Sequence, residues 1–127
     1  MPMDLYAEEI IAHYEHPHNR GKIDLPNLST REYNPVCGDD ITVYILLEKG
    51  RIIEIKFEGD GCAISMASAS MVTDYVKGKT VKDVENMDAK TIIGLIGVDP
   101  GPARLKCAIL PLKAIKNALK KLPPDTT

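Results

Sequence analysis

The sequence lacks the features that mark membrane-spanning and exported proteins. Its longest nearly apolar run, residues 92–98, is far shorter than the ~20 residues that a helix needs to cross a bilayer. No basic segment leads into an apolar stretch near the N-terminus, where Asp4, Glu8 and Glu9 lie instead. We therefore expect a cytoplasmic protein that does not bind membranes.

The sequence also lacks an excess of charge of either sign. The chain has 16 Lys+Arg and 18 Asp+Glu, which gives a formal net charge of −2. Nucleic-acid-binding domains usually present a strongly basic surface, so this balance argues against a nucleic-acid partner. With 44% hydrophobic and 27% charged residues, the composition is that of a folded protein, and the length predicts one domain over residues 1–127.

Cysteine is scarce, and no two cysteines lie close together in the chain. Cys37, Cys62 and Cys107 are 25 and 45 positions apart. The odd number argues against a secreted disulfide framework, and the absence of CxxC pairs argues against a zinc ribbon. In a reducing compartment, three scattered thiols are core residues, nucleophiles, or ligands that the fold brings together.

Alternating hydrophobic residues predict an antiparallel hairpin in the middle of the chain. Residues 41–47 and 53–57 both alternate with a period of two, and Gly50 supplies the turn between them. Residues 31–34 are expected to add an edge strand, whereas residues 22–30 are expected to be irregular.

Helical periodicity on both sides of the hairpin predicts several helices. The first covers residues 3–16, approximately, and ends before Pro17; the second covers residues 64–76 and closes at Gly78. Short helices are expected after Thr80, as N-cap with Asp83, and over residues 88–96. The last helix starts at Pro102, is kinked or shortened by Pro111, and precedes a frayed tail after about residue 122.

Each cysteine lies at a junction between predicted elements. Cys37 precedes the first hairpin strand, and Cys62 lies at the entry of a helix, where the helix dipole favours a thiolate. Cys107 lies in the second turn of the last helix, three residues after Arg104 and next to Lys106, and both cations favour its thiolate. The three element ends can converge on one rim of a small sheet.

Asp39 lies two positions after Cys37 and has two interpretations. It is either a turn residue that opens the strand or a carboxylate ligand to the same ion. Three thiolates and one carboxylate suit zinc, or iron in an iron–sulfur cluster. Permanent clusters are normally held by four cysteines, so the weaker aspartate indicates a site that assembles a cluster and releases it. The alternative is three unrelated structural cysteines.

His13, His16 and His18 cluster around Pro17. We interpret His13 and His16 as residues near a helix C-terminus, where an imidazolium suits the helix dipole. The alternative interpretation is a metal site formed by these histidines.

Three cysteine-containing segments carry a resemblance to a known family. The segments are NPVCGD at 34–39, GDGCAISMASAS at 59–70 and PARLKCA at 102–108; HYEHPHNRG at 13–21 and VKGK at 76–79 support them. In this order and spacing they closely resemble the U-type iron–sulfur cluster scaffolds, namely IscU, SufU and the N-terminal domain of NifU. The likeness covers residues 3–121, approximately.

The resemblance implies an α+β fold, with a small antiparallel sheet of about three strands and helices packed on one face. It implies a scaffold, not an enzyme in the strict sense, that takes persulfide sulfur from a cysteine desulfurase and iron. The scaffold builds a labile [2Fe–2S] cluster and passes it to apo-proteins. Cys37, Cys62 and Cys107 are then ligands, Asp39 contributes to iron binding and lability, and Cys107 is the persulfide acceptor.

Two departures from IscU leave the fourth ligand open. Lys106 stands where IscU proteins carry a histidine, and a protonated lysine cannot bind metal, so Asp39, a partner group or a second subunit completes the set. A homodimer would then bridge the cluster. The LPPVK segment that a dedicated chaperone recognises in IscU is also absent.

The runner-up hypothesis is a SufU-like sulfurtransferase, which is an enzyme. In it, Zn²⁺ on Cys37, Asp39, Cys62 and Cys107 holds a cysteine ready to take persulfide. The basic Lys106 favours this hypothesis, whereas the lack of the insertion that SufU carries between its second and third cysteines weighs against it.

Overall fold

The computed structural model describes residues 2–26, 28–35 and 38–121, with side chains from residue 8 onward. These residues form helices and strands in the following order: α1 (Pro2–Glu15), β1 (Leu28–Asn34), β2 (Asp39–Glu48), β3 (Arg51–Asp60), α2 (Ala63–Val76), α3 (Val81–Glu85), α4 (Ala89–Ile96) and α5 (Pro102–Leu119). The α+β class and the three-stranded antiparallel sheet expected from the sequence are confirmed. The tail expected after residue 122 lies outside the described residues.

The sheet is an antiparallel meander with the order β1-β2-β3. Asn34 pairs with Asp39 across β1 and β2, and Asp40 pairs with Asp60 across β2 and β3. The hairpin turn places Lys49 at φ 54° and Gly50 at φ 76°, which matches the right-handed twist of the flanking strands. One end of the sheet therefore gathers the start of β2, the end of β3 and the end of β1.

The helices cover one face of the sheet. Alternate strand residues lie fully buried beneath them, whereas their neighbours are partly exposed; the buried strand residues are Ile41, Val43, Ile45, Ile52, Ile55 and Phe57. Helices α2 and α5 pack on the sheet and on each other. Their small residues Ala67, Ala69, Ala108 and Ala114 allow close approach of the backbones.

The chain after α1 docks on the edge strand β3. The backbone N–H of Phe57 donates to the carbonyl of Asn19, and the N–H of Gly21 donates to the carbonyl of Phe57, both at 2.9 Å. These bonds cover part of the open edge of β3 and hold α1 near α2.

The helix ends follow the capping signals in the sequence. Thr80 and Asp83 form the capping box of α3, Pro102 occupies the first turn of α5, and Gly78 follows α2 with φ 83°. Among the described residues, no helix combines the length and apolarity that crossing a lipid bilayer requires.

Two sequence expectations on the elements are wrong. Residues 28–30 belong to β1, because Leu28 is buried and pairs with Ile45; the strand's polar sequence hides this pairing. Helix α5 runs without a break from Pro102 to Leu119 through the buried Pro111, so of the two outcomes expected there the shortening is wrong. The hydroxyl of Ser68 on α2 donates to the carbonyl of Ala108 on α5 at 2.6 Å, which ties the two helices together one turn before Pro111.

Candidate metal centre

The start of β2, the end of β3 and the helices α2 and α5 bring three predicted ligands together. Asp39 is the first residue of β2, and Cys62 follows the last residues of β3 as the N-cap of α2. Helix α5 packs across β1, β2 and α2 and contributes Cys107 from its second turn. One ligand atom from each of Asp39, Cys62 and Cys107 lies within 4.8 Å of the other two.

The three side chains differ in their access to solvent. Asp39 is fully buried, Cys107 is 2% exposed, and Cys62 is partly exposed. Cys62, Ala103, Arg104 and Cys107 line a cavity of about 250 Å³. The site therefore combines a fully buried carboxylate with one buried sulfur and one partly exposed sulfur.

The carboxylate of Asp39 is only half satisfied by the described residues. Its Oδ1 accepts a hydrogen bond from the backbone N–H of Cys62 at 2.9 Å. Its Oδ2 is buried and has no hydrogen-bond partner among the described residues. A buried, unpaired carboxylate oxygen is costly, and one oxygen of this carboxylate lies within 4.8 Å of the sulfurs of Cys62 and Cys107, so the group fits a bound cation.

The neighbouring carboxylate of Asp40 has a different environment. Arg31 holds it through two hydrogen bonds, at 2.8 Å from Nε and 2.5 Å from Nη2. This hydrogen-bonded guanidinium lowers the pKa of the Asp40 carboxyl below its usual value. Asp40 therefore has a partner within the protein, whereas Asp39 offers an oxygen to a ligand.

The absence of a side chain at Gly61 leaves room for the side chains of Asp39 and Ser65. A Cβ atom on Gly61 would lie 2.6 Å from Oδ1 of Asp39 and 2.3 Å from Oγ of Ser65. Ser65 is buried, and its hydroxyl donates to the carbonyl of Cys62 at 3.1 Å. Sequence reasoning assigned no role to Gly61 or Ser65; the only signal was a glycine directly before a helix N-cap.

Cys62 uses its sulfur as the cap of α2. The backbone N–H of Ser65 points to Sγ of Cys62 at 3.5 Å, and the first turn of α2 carries no acidic residue. A helix N-terminus attracts negative charge, so this placement suits a thiolate or a metal-bound sulfur.

The two cations flanking Cys107 occupy different positions. Arg104 lines the same cavity as Cys107, as their three-residue spacing on α5 predicts. Lys106 is exposed and lines a separate groove with Tyr33, Asn34 and Pro35. Only Arg104 of the pair borders the cavity. Cys37 lies outside the described residues, between Pro35 and Gly38.

A second group of potential ligands lies between α1 and α2. Ligand atoms of His13, His18 and Asp74 lie within 4.8 Å of one another. Burial lowers the pKa of His13, and the nearby His18 lowers it further. Burial alone would raise the pKa of Asp74, but its hydrogen bonds with His18 and Asn19 lower it. His13 lies in the last turn of α1, as expected, whereas nothing in the sequence linked Asp74 to the histidines.

Comparisons with known proteins agree with this architecture. Residues 5–126 match the family described as NifU-like N terminal domain. The zinc-dependent sulfurtransferase SufU of Bacillus subtilis is 36% identical over 92% of this chain and 90% of that protein. The iron–sulfur cluster assembly scaffold protein IscU of Thermotoga maritima is 35% identical over 93% of this chain and 94% of that protein.

A solved structure is similar over nearly the same extent. It is a protein proposed as an iron–sulfur cluster assembly scaffold for the SUF system of Fervidobacterium islandicum AW-1, with a TM-score of 0.75 and 33% identity. The match covers 91% of this chain and 97% of that chain. Relatives named for two activities, scaffolding and sulfur transfer, are thus similar to this chain at nearly equal identity.

Proposed function

This chain belongs to the family of NifU-like N-terminal domains, and from that premise we propose that it is a scaffold for iron–sulfur cluster assembly. It receives iron and persulfide sulfur, the latter from a cysteine desulfurase, and builds a labile [2Fe–2S] cluster. It then passes the cluster to apo-proteins. The cluster is its cargo, so the protein acts by ligand exchange and is not an enzyme in the strict sense.

The observation that carries the proposal is the unpaired oxygen of Asp39 beside two cysteines. Oδ2 of Asp39 is buried without a partner among the described residues, and the ligand atoms of Cys62 and Cys107 lie within 4.8 Å of the aspartate's ligand atom. Structural cysteines alone would not explain a buried carboxylate with an unpaired oxygen beside them. Cys37, two positions before Asp39, is the third thiolate in our proposal.

The donor set explains why the cluster would be released. A carboxylate oxygen is a harder donor than a thiolate and binds iron of a cluster less strongly. Three cysteines and Asp39 complete four ligands within one chain, whereas Lys106, an ammonium without a lone pair, adds none. A group from an acceptor protein, or a second copy of this chain, can replace Asp39 during transfer.

We assign the persulfide acceptor role to Cys107. Its sulfur lies at the cavity that Arg104 also lines, and the guanidinium favours the thiolate that attacks an incoming persulfide. In that exchange the Cys107 thiolate attacks the outer sulfur of the desulfurase persulfide, and the desulfurase thiolate leaves. Lys106, exposed on the next groove, modulates the approach of an acidic partner.

Cluster transfer tests the proposal. The protein is incubated anaerobically with a cysteine desulfurase, cysteine and ferrous iron, and then mixed with an apo-ferredoxin of the [2Fe–2S] type. We expect the ferredoxin's circular dichroism to develop faster with the protein than without it, even in the presence of an iron chelator. If the chelator stops transfer equally in both reactions, the protein is no scaffold.

A second candidate function is zinc-dependent sulfur transfer. It is favoured by the 36% identity to the sulfurtransferase SufU and by a four-donor set that also suits tetrahedral zinc. Zinc would be held by Cys37, Asp39, Cys62 and Cys107 and would keep the acceptor thiol deprotonated. If this function is correct, adding the zinc-loaded protein to the desulfurase increases the rate of alanine production from cysteine, and the protein itself binds no cluster. We propose a cytoplasmic location and a single domain under both functions.

A further inference from the structure

The group formed by His13, His18 and Asp74, here called the histidine cluster, lies apart from the cysteine site. His13 is in the last turn of α1, His18 is in the loop after it, and Asp74 is near the end of α2. Because a helix rises about 1.5 Å per residue, Asp74 lies about 18 Å along α2 from Cys62. One ion cannot serve both sites.

The histidine cluster is compact. The imidazole centroids of His13 and His18 lie 4.6 Å apart with the rings tilted by 53°. Nδ1 of His18 lies 2.5 Å from Oδ2 of Asp74. Around a tetrahedral zinc ion with bonds of about 2.0–2.1 Å, ligand atoms are about 3.3 Å apart. Side-chain rotations that open the His18–Asp74 pair and keep His13 within reach would bring the ligand atoms to this spacing.

Neighbouring polar groups hold the three side chains in place. The amide of Asn19 donates to Oδ1 of Asp74 at 2.8 Å and to the hydroxyl of Thr73 at 2.9 Å. The buried hydroxyl of Ser70 accepts from the backbone N–H of His18 at 2.8 Å and lies 2.6 Å from Nδ1 of His13. Metal ligands in proteins are typically oriented by such surrounding hydrogen bonds.

We propose that His13, His18 and Asp74 bind one divalent transition-metal ion of the zinc class. Two imidazole nitrogens and one carboxylate oxygen suit such an ion, and the exposed side of His18 and Asp74 leaves positions for water. The ion takes the place of the hydrogen between His18 and Asp74 and links α1 to α2. This site does not depend on the scaffold function.

Zinc binding to the full chain tests the proposal. We use an untagged Cys62→Ser variant, in which the cysteine site is weakened, and measure bound zinc by equilibrium dialysis and metal analysis. We expect about one zinc per chain, lost in the His18→Ala and Asp74→Ala variants of that protein. The His16→Ala variant is the matched control, because His16 is exposed and outside the histidine cluster; it should keep the zinc.

Three outcomes would overturn the proposal: the Cys62→Ser protein binds no zinc, the His18→Ala change leaves zinc binding unchanged, or the His16→Ala change removes the zinc equally. Circular dichroism verifies that the variants fold. As a second measurement, substoichiometric Co²⁺ should broaden the ring signals of His13 and His18 in proton NMR spectra before those of His16. Equal broadening of all three histidines would contradict the proposed site.

Discussion

The neighbouring carboxylates of Asp39 and Asp40 have different roles because they contact different groups. Both are carboxylates at the start of β2, and the alternation of strand side chains sends them to opposite faces. Asp40 meets Arg31, whereas Asp39 enters the interior and faces Cys62 and Cys107. The sequence pointed to Asp39 through its distance from Cys37, but the unpaired Oδ2 required the structure.

Replacing Asp39 with alanine should give a longer-lived cluster. The variant loses the hard oxygen ligand whose exchange opens the site, so the absorbance of the reconstituted cluster should decay several-fold more slowly in air. Asp60→Ala is the control, because the Asp60 side chain is fully exposed at the end of β3. Equal decay in the wild-type protein and the Asp39→Ala variant would remove this role from Asp39.

Replacing Cys107 with serine should abolish persulfide transfer from a cysteine desulfurase. The hydroxyl of serine is not deprotonated near neutral pH and cannot attack the persulfide, whereas Cys37→Ser leaves the acceptor intact and should retain transfer in part. Mass spectrometry of the added sulfur measures both variants. Loss of transfer to the same extent in the two variants would argue against Cys107 as the acceptor.

At the scale of elements, the predicted hairpin and helix caps are confirmed because they depend on local signals. Alternation gave β2 and β3, Thr80 with Asp83 gave the start of α3, and Cys62 lies at the N-terminus of α2. The sequence did not predict residues 28–30 as part of β1. Among these three residues only Leu28 is buried, and an edge strand with a polar sequence shows no alternating hydrophobic pattern.

The junction between β3 and α2 gives a prediction that separates site and fold. Gly61→Ala places a Cβ against Asp39 and Ser65, so it should reduce iron binding and lower the free energy of unfolding by about 1–3 kcal/mol. Gly94→Ala is the matched control: nothing lies within 4 Å of its Cβ, and alanine favours helix α4. It should raise stability by about 0.5–1 kcal/mol and leave iron binding unchanged.

Chemical denaturation measures both glycine variants, and iron titration of the same samples measures the site. If Gly61→Ala binds iron as the wild-type protein does, the position of Asp39 is unimportant for the site. If Gly94→Ala also loses iron, the loss in Gly61→Ala reflects general instability instead of the displaced carboxylate.

At the scale of the whole molecule, long-range packing builds both candidate sites. The cysteine site needs β2, β3, α2 and α5 together, and the histidine cluster needs α1 against α2. The three cysteine motifs in the sequence predicted the first site. For the second site, the sequence indicated only the alternative of a metal site at His13, His16 and His18. It could not place Asp74 there, because Asp74 is an ordinary polar residue on a helix and lies 56 positions from His18.

Among the described residues, one hydrophobic core holds together the strands and helices that carry the site. Phe57 is the only phenylalanine, is fully buried, and its backbone also anchors the segment after α1. Phe57→Ala should cost about 3–5 kcal/mol, a large part of the about 5–15 kcal/mol that a domain has. Ile53→Ala, on the same strand but 47% exposed, should cost no more than about 1 kcal/mol. Urea unfolding compares them, and equal losses would contradict the described core.

The central claim is that Asp39 and the cysteines form one site that assembles a cluster. The most direct measurement is the iron and acid-labile sulfide content, with the visible spectrum, of protein reconstituted anaerobically. Our account predicts a brown protein with roughly equal iron and sulfide, and loss of both when Cys37, Cys62 or Cys107 is replaced by serine. A colourless protein that holds one tightly bound zinc ion and takes up no cluster would contradict it.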